Sequence, residues 1–488
     1  MRLFKLFSVL CAASACLGTL AHAQTVSTLY SFCAESGCPS APNAALVQAA
    51  NGDLYGLAAS GGAHSLGAVF KLTPGGTLTT LYSFCAQSGC PDGQFPVLGL
   101  ALATSGDLYG FTEGGGANTN GTFFRVTPSG TLATLNSFCT QVGCPSGEYL
   151  NSLLRATNGG FYFTTQFGGI GAKGASGQGA VYKITPEGTY TQLYSFCTDA
   201  SDGCPNGAIP YAGVTQATNG DLYGTTAEGG NDDVDGTVFK ITPSGTLTTL
   251  YSFCAQSGCP DGDYPVAGLV QASNGDLYGT TEYGGNGSPG SGTVFKITPG
   301  GKLTTLYSFC AQSGCPDGRG SPYTLIQATD GNLYGTSTSG GANNGGTVFK
   351  ITPGGKLTTL YSFCAQSGCT DGETPSSGLV QHTNGILYGT TESGGANGAG
   401  TFFSLSIGAS AFVETLPASG KLGASVKILG TSLKGATGVT FNGTAATFTV
   451  VSASEITTTV PAGATTGTVE VTTPSITLSS NVAFTIKE

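Results

Sequence analysis

The sequence predicts an all-β fold, in which a seven-bladed β-propeller is followed by an immunoglobulin-like β-sandwich. The first observation is repetition, because a Ser-Phe-Cys segment recurs with its cysteine at positions 33, 85, 139, 197, 254, 310 and 364. The second is that each unit of about 55 residues holds four short strand-like runs, which is the content of one propeller blade. A parallel β-helix would repeat at roughly half that length or less, so the propeller is favoured.

The unit that begins at Gly268 shows how turn residues separate the four strands. Asn274-Gly275 favours a two-residue hairpin turn, because both positions tolerate positive φ. A glycine-rich loop follows the second strand, and Pro299-Gly300-Gly301 makes the turn before the fourth. The predicted strands are residues 268–273, 276–281, 293–298 and 303–309.

The number of strands predicts how the propeller closes. Seven first strands and seven third strands can be counted, but no fourth strand follows the last third strand, residues 401–405. The missing copy is the segment at residues 27–33, near the N-terminus. We therefore expect the N-terminal strand to complete the last blade and to remove the open sheet edges that favour aggregation.

The N-terminus and the cysteines indicate an exported protein, either secreted, periplasmic or attached to the cell surface. Residues 1–23 have the basic start, apolar core and Ala21-His22-Ala23 ending of a signal peptide; a lipoprotein signal ending at Cys16 is the alternative. The other cysteines form seven close pairs, which favours disulfides over zinc because no pair has a histidine beside it. The pairs are Cys33/Cys38, Cys85/Cys90, Cys139/Cys144, Cys197/Cys204, Cys254/Cys259, Cys310/Cys315 and Cys364/Cys369.

Charge and composition narrow the classes of partner. The formal net charge is −10 and only 9% of residues are charged, which disfavours nucleic acid and anionic membranes. No stretch after the signal is long and apolar enough to span a membrane, and we expect a monomer. Two histidines remain after the signal, His64 and His382, and no motif for a serine nucleophile, phosphate loop or zinc protease occurs.

Three motifs of the unit carry a family resemblance, namely Gly-Thr-Val-Phe-Lys-Ile-Thr-Pro, Leu-Tyr-Ser-Phe-Cys and Asn-Gly-Asp-Leu-Tyr-Gly-Thr-Thr. On these motifs, residues 26–408 resemble the GloVer repeats, a family of choice-of-anchor tandem-repeat proteins. The resemblance implies an exported bacterial surface protein with a variable C-terminal module, and it brings no assigned chemistry. The third unit departs most, with Asn158-Gly-Gly-Phe161 in place of Asn-Gly-Asp-Leu.

Residues 411–488 contain short strands at the spacing of a β-sandwich. This segment resembles an IPT/TIG domain, which implies an immunoglobulin-like spacer or interaction module of an extracellular protein. The matching residues are Pro417, Gly420, Gly423, Gly430, Thr431, Phe441, Asn442, Gly443, Val460, Pro461, Thr466 and Gly467. The expected domains are therefore a signal peptide (1–23), a seven-bladed propeller (24–408) and an IPT/TIG domain (409–488).

Two recurring sets of carboxylates are the candidate ligand-binding residues. Both fall in loops that share one face of a propeller, those between the fourth and first strands and those between the second and third. Their oxygens could bind a sugar or Ca²⁺; the alternative is that they are architectural, an aspartate before glycine forming a turn with its own backbone. The sets are Asp92, Asp261, Asp317 and Asp371, and Glu113, Glu228, Glu282 and Glu392.

One acidic segment occurs in a single unit. Asp232, Asp233 and Asp235 make it the candidate Ca²⁺ site, although it lacks the full EF-hand pattern and a solvated loop is the alternative. Recurring basic residues in the third strands and tyrosines in the second strands are instead expected to pack and pair within the blades. These are Lys71, Arg125, Lys183, Lys240, Lys296 and Lys350, and Tyr55, Tyr109, Tyr223, Tyr278, Tyr334 and Tyr388.

Three functional hypotheses follow. The first is a secreted or cell-surface binding or scaffold protein, which presents the loop face of the propeller to a glycan or an extracellular protein. The alternative is a hydrolase or lyase that uses a carboxylate-bound cation at the ring centre, and the third is a purely structural protein. Near-identical units, disulfides and neutral polar composition favour the first, while the fold alone does not decide because propellers host many activities.

Overall fold

The fold is built from β-strands, in a computed structural model that describes residues 26–33, 37–139, 148–169, 177–198, 203–230, 235–286, 291–322 and 324–487. The expected signal peptide, residues 1–23, lies outside this part of the chain. Within it, the strands are joined by loops and one short 3-10 turn, Ser367–Cys369, and no helix is long and apolar enough to cross a membrane. The all-β prediction is confirmed.

Seven antiparallel sheets follow one another along the repeats, and we number them sheet 1 to sheet 7. Sheet 1 contains β2 (Pro39–Pro42), β3 (Val47–Gln48), β4 (Leu54–Gly61), β5 (Ala68–Leu72) and β6 (Leu78–Ser83). Sheet 2 contains β7 (Gln94–Leu102), β8 (Leu108–Gly114), β9 (Thr122–Val126) and β10 (Leu132–Ser137). Sheet 3 contains β11 (Glu148–Leu150), β12 (Leu154–Arg155), β13 (Phe161–Phe167), β14 (Ala180–Ile184) and β15 (Tyr190–Ser195).

The later sheets have the same order of strands. Sheet 4 contains β16 (Thr215–Gln216), β17 (Leu222–Thr226), β18 (Thr237–Ile241) and β19 (Leu247–Ser252). Sheet 5 contains β20 (Val270–Gln271), β21 (Leu277–Thr280), β22 (Thr293–Ile297) and β23 (Leu303–Ser308). Sheet 6 contains β24 (Arg319–Pro322), β25 (Ile326–Gln327), β26 (Leu333–Ser339), β27 (Thr347–Ile351) and β28 (Leu357–Ser362). Sheet 7 contains β29 (Val380–Gln381), β30 (Leu387–Thr391), β31 (Thr401–Leu405) and β1 (Val26–Ser31).

Sheet 5 shows where the predicted strands agree with the structure. The second, third and fourth strands lie where the turn residues place them, and only their ends are shorter. The first strand, predicted over residues 268–273, pairs with β21 only at Val270 and Gln271. Its flanking N–H groups point elsewhere, because Gly268 donates to Thr324 Oγ1 and Ser273 to Gln327 Oε1 of sheet 6.

The N-terminal strand β1 pairs antiparallel with β31 of sheet 7, as the strand count predicts. Val26 lies opposite Leu405 and Ser31 opposite Thr401, with a register shift between Thr28 and Tyr30. Sheet 5 has the same register and the same shift between its third and fourth strands. Strand β1 therefore occupies the position of a fourth strand in the sheet farthest from it in sequence.

The phenylalanine of each Ser-Phe-Cys segment packs against a ring in the following sheet. Phe253 contacts Phe295 of sheet 5 with ring centroids 5.1 Å apart, and both rings are buried. The same contact joins sheet 7 to sheet 1, because Phe32, which follows β1 of sheet 7, lies 5.4 Å from Phe70 of sheet 1. The other pairs are Phe84–Phe124, Phe138–Phe163, Phe196–Phe239, Phe309–Phe349 and Phe363–Phe403.

First strands are joined by a recurring glutamine. Gln271 Oε1 accepts the N–H of Thr218 in sheet 4 at 2.8 Å, and Gln48 Oε1 accepts that of Thr383 in sheet 7 at 2.9 Å. The remaining bonds are Gln216–Thr157, Gln327–Ser273 and Gln381–Thr329. In sheets 2 and 3 the glutamine is replaced by Leu102 and Arg155, and Arg155 Nη2 donates to Thr104 Oγ1 at 3.4 Å.

Recurring basic residues and tyrosines are part of the blades, as expected from the sequence. Lys296 Nζ lies 3.5 Å from Asp276, which directly precedes the second strand β21. The equivalent ion pairs are Lys71–Asp53, Arg125–Asp107 and Lys240–Asp221. Tyr278 is fully buried and its hydroxyl accepts a hydrogen bond from Asn274. These side chains therefore stabilise the repeat.

The C-terminal segment forms two packed sheets. One contains β32 (Glu414–Leu416), β34 (Ser425–Leu429), β38 (Glu455–Thr459) and β37 (Phe448–Val450), and β33 (Ser419–Gly420) pairs with β41 (Thr485–Ile486). The other contains β36 (Thr444–Ala445), β35 (Gly438–Phe441), β39 (Val469–Thr472) and β40 (Thr477–Ser479). Val426, Ile456, Phe441 and Val471 are buried between them, as in an immunoglobulin-like sandwich.

This sandwich rests on the turns between first and second strands, which we call the hairpin end of the repeats. The Phe412 N–H donates to the Thr383 carbonyl at 2.9 Å, and Ser454 Oγ to the Ala50 carbonyl at 2.8 Å. Lys487 Nζ donates to the Thr157 carbonyl at 2.7 Å. These hydrogen bonds join the sandwich to the turns of sheets 7, 1 and 3.

Candidate functional site

The cysteine loops and the glycine-rich loops lie together on the side opposite the hairpin end, and we call this side the loop face. The Gly285 N–H donates to the Cys259 carbonyl at 2.8 Å, and the same bond recurs in other sheets. Six of the predicted disulfides are present, Cys33–Cys38, Cys85–Cys90, Cys197–Cys204, Cys254–Cys259, Cys310–Cys315 and Cys364–Cys369. Cys144, from the seventh pair, lies outside the described residues.

The predicted aspartates bind within their own loops. Asp371 is 2% exposed, and its Oδ2 accepts hydrogen bonds from the Tyr361 hydroxyl at 2.8 Å and the Ala365 N–H at 2.9 Å. Its Oδ1 accepts the Gln366 N–H. Asp92, Asp261 and Asp317 each accept the equivalent tyrosine hydroxyl. These contacts favour the turn alternative for this set.

Replacing Asp371 distinguishes a structural role of this carboxylate in its loop from a role in ligand binding. Asp371→Ala leaves a hydroxyl and two N–H groups without a partner, so we expect the free energy of unfolding to fall by about 3 kcal/mol in a denaturant titration. Asp276→Ala, which removes only a partly exposed ion pair with Lys296, should cost less than about 1 kcal/mol. Unchanged stability of Asp371→Ala with loss of ligand binding would assign this carboxylate to a ligand instead.

The predicted glutamates do not form one set. Glu228 pairs across a bridge with Ala208, and the residue of sheet 5 in that position is Tyr283, which pairs with Asp263. Glu228 therefore occupies the position of Tyr283, and Ala227 occupies the position of Glu282. Glu113 and Glu392 share the position of Glu282, and both are exposed on the loop face.

Another position of the loop face holds unusual side chains. It lies two residues beyond the glycine that ends each cysteine loop, and its backbone is left-handed at Phe95, Tyr149, Ile209, Tyr264 and Thr374. Such φ values are uncommon for residues other than glycine. The Tyr264 N–H donates to the Asp235 carbonyl of the preceding sheet at 3.1 Å. The neighbouring sheet therefore fixes this backbone, whereas the side chain changes from sheet to sheet.

Tyr264 lines a cavity of about 490 Å³ that opens on the loop face and takes its lining from sheets 2 to 6. Its ring lies 5.7 Å from those of Tyr211 and Tyr283. Burial and the neighbouring Tyr211 hydroxyl raise the pKa of Tyr264, and the neighbouring Glu282 carboxylate raises the pKa of Tyr283. Gln166, Ser152 and Thr324 complete the polar lining. Aromatic faces beside a few hydrogen-bonding groups are typical of a small-molecule or sugar site.

The expected Ca²⁺ site is described only in part. Asp232 and Asp233 lie outside the described residues, while Asp235 lies close enough to Asp263 to affect its ionisation. Burial, together with the Asp235 charge, raises the pKa of Asp263 to about 6. Two neighbouring carboxylates provide oxygen ligands of the kind that Ca²⁺ accepts.

Three overlapping matches to one repeat-family model cover residues 18–205, 146–321 and 315–445 of the chain, and the model describes the Gloeobacter/Verrucomicrobia repeat. The chain belongs to the Gloeobacter/Verrucomicrobia repeat family. A second model, the IPT/TIG domain, matches residues 411–486. Both resemblances seen in the sequence are confirmed. No curated protein matches.

Solved structures are similar to this Gloeobacter/Verrucomicrobia repeat protein in fold. The streptogramin B lyase structure has a TM-score of 0.50 at 15% identity, over 78% of this chain and 97% of that one. Virginiamycin B lyase from Staphylococcus aureus has a TM-score of 0.49 at 14% identity, over 79% of this chain and 99% of that one. PorZ is a bacterial surface component of the type-IX secretion system of Porphyromonas gingivalis. Its structure has a TM-score of 0.45 at 12% identity, over 90% of this chain and 58% of that one. At these identities the likeness concerns the fold alone.

The sequence analysis did not predict the aromatic residues of this cavity, because it selected candidate residues that recur in most of the Gloeobacter/Verrucomicrobia repeats. Tyr211, Tyr264 and Tyr283 each stand at a position that other repeats fill with another residue. Of the predicted carboxylates, only Glu282 lines the same cavity. A comparison of the repeats for exposed aromatics at non-recurring positions would have found the site.

Proposed function

We propose that the seven sheets form one closed β-propeller, residues 24–408, after a signal peptide over residues 1–23. Contacts between sheets 7 and 1 support closure, since β1 lies in sheet 7, Phe32 packs on Phe70 and Gln48 bonds to Thr383. The Ala41 N–H adds a bond to the Ala399 carbonyl. The IPT/TIG domain, residues 409–488, covers the hairpin end of this ring.

We propose that the protein is an exported binding protein that takes a neutral glycan on the loop face. The observation that carries this proposal is the cavity in which Tyr211, Tyr264 and Tyr283 surround Glu282. An aromatic face packs against the C–H groups of a sugar, and a carboxylate accepts its hydroxyls. Disulfides support export to an oxidising compartment.

The low charge of the chain also favours an uncharged ligand. Only 9% of residues are charged and the net charge is negative, so the loop face offers little attraction for anionic polymers. The polar part of the cavity lining consists of tyrosines, threonine, serine, glutamine and one glutamate, and the rest is Leu98, Ala212, Val266, Ala267 and Gly268. Such a lining hydrogen-bonds hydroxyl groups without requiring a charge on the ligand.

The enzymatic alternative has less support at the ring centre. Glycine and small side chains of the first-strand segments contact each other there, as Gly268 does with Thr324 and Ala212, and Gly378 with Ala45. Gly268, Thr324 and Ala212 line the same cavity as Glu282, and this one carboxylate is fewer than the about six to eight oxygen ligands that Ca²⁺ takes.

Electrophoresis in native gels that contain hydroxyethyl cellulose, xylan, glucomannan, galactomannan or laminarin tests the proposal. We expect one polymer to retard the protein and Tyr264→Ile to weaken that retardation about tenfold or more, because the stacking face is lost. Isoleucine is chosen because Ile209 occupies the same backbone position in sheet 4. Thr374→Ala, at the same position of sheet 7, should bind like the parent. Absence of retardation by every polymer, or equal retardation of Tyr264→Ile, would refute the proposal.

A further inference from the structure

The loop face carries exposed aromatic side chains. Among the described residues of the repeats, the large apolar side chains that are exposed are Phe95, Tyr149, Phe167 and Tyr283. They belong to sheets 2, 3 and 5, and the other sheets expose none in their described parts. A scattered exposed residue is ordinary, but aromatic residues grouped on one face mark a contact surface.

Two of these aromatics, Phe95 and Tyr149, line a second cavity, of about 280 Å³, between sheets 2 and 3. Glu113 and Asn120 line it as well. Phe167 supports Tyr149 edge-on, with ring centroids 5.9 Å apart. The composition matches that of the Tyr264 cavity, where aromatic rings also lie beside a glutamate of the same repeat position.

The backbone at Phe95 and Tyr149 argues against a purely architectural role. Both residues have positive φ, 55° and 53°, in the position that Ala41 fills in sheet 1 and Thr374 in sheet 7. The fold therefore forms with a small residue at this position. Left-handed backbone costs about 1–2 kcal/mol for any residue with a Cβ, so Ala41 and Thr374 carry the same strain, and the aromatic rings in sheets 2, 3 and 5 are not needed to hold this conformation.

The two cavities are neighbours along the chain. Tyr149 lines the smaller cavity and Ser152 the larger one, and three residues of extended chain span at most about 10 Å. The next strand also links the two cavities. Gln166 lines the larger cavity, and the adjacent Phe167 packs on Tyr149 of the smaller one. A ligand of a few linked sugars would therefore reach both.

We propose that Phe95, Tyr149 and Glu113 form a second sugar subsite, so that the ligand is a glycan chain lying across sheets 2 to 5. This inference rests on the proposed glycan site at Tyr264. The larger cavity binds one end of the chain segment, and the smaller cavity binds sugars farther along it. Affinity therefore increases with chain length until both cavities are filled.

A length series tests the second subsite. The di- and hexasaccharide of the retained polymer are titrated by calorimetry into the parent, Tyr264→Ile and Phe95→Ala/Tyr149→Ile. Alanine and isoleucine already occupy this backbone position at Ala41 and Ile209, and Thr374→Ala is the matched control. We expect the double variant to bind the hexasaccharide about tenfold more weakly and the disaccharide as the parent does.

The outcomes separate the two proposals. If the double variant binds the hexasaccharide as tightly as the parent while Tyr264→Ile does not, the second subsite is refuted and the first stands. If neither variant differs from the parent, or no polymer is retained, the glycan proposal itself fails. Equal weakening of both oligosaccharides by the double variant would also overturn the two-subsite model, because it would place both rings in one site.

Discussion

Deletion of residues 24–40 is expected to lower the free energy of unfolding of the whole repeat region by at least about 5 kcal/mol. The deletion removes β1 from sheet 7 and the buried Phe32 ring from its contact with Phe70. Loss of a buried phenylalanine alone costs about 3–5 kcal/mol, and an unpaired β31 edge adds to this. Thermal unfolding followed by circular dichroism measures the effect.

Adding the missing segment as a separate peptide is the control for this deletion. A peptide of residues 24–40 should restore part of the lost melting temperature, in proportion to its concentration, because binding to the folded state stabilises it. A truncated protein that melts like the parent would contradict the closure of the ring through β1.

Phe295→Ala is expected to lower the free energy of unfolding by about 3–5 kcal/mol, since its ring is fully buried between two sheets. The ring packs on Phe253 at 5.1 Å and fills the space above Gly279, where an added Cβ would lie 2.6 Å from it. Equilibrium denaturation with urea measures the change. A cost below about 1 kcal/mol would show that the sheets do not depend on this contact.

Gly279→Ala tests the packing of Phe295 by adding a methyl group at the glycine on which its ring rests. The added methyl group would meet both Phe295 and Leu269, so we expect a loss of about 1–3 kcal/mol from overpacking. Sheet 3 supports this reasoning, because it has Phe163 in the glycine position and Tyr182 in place of the phenylalanine, with stacked rings. A neutral Gly279→Ala would mean that the space is not filled as described.

Much of the fold could be predicted because each repeat carries its own turn signals. Asn274-Gly275 and Pro299-Gly300 fix where the strands of sheet 5 begin and end, and the absence of a last fourth strand points to β1. The first strand was predicted too long, since the bonds of Gly268 and Ser273 to the next sheet depend on a tertiary arrangement. The docking of the IPT/TIG domain on the hairpin end has no local signal either.

The site was harder to predict, because recurrence marks architecture. Asp371 recurs in other repeats because each copy holds its own loop together. Tyr264 and Tyr149 share a position that other repeats fill with isoleucine or threonine, and its left-handed backbone is visible only in three dimensions. Their proximity depends on which sheets are neighbours. The informative signal is therefore the residue that breaks the repeat.

A crystal structure of the full chain with the hexasaccharide of the retained polymer examines the glycan site most directly. We expect a sugar ring against the face of Tyr264, a hydroxyl within hydrogen-bond distance of Glu282, and further sugars continuing toward Tyr149. A saccharide bound to the IPT/TIG domain or to sheets 6 and 7, with the Tyr264 cavity holding only water, would contradict the proposed function.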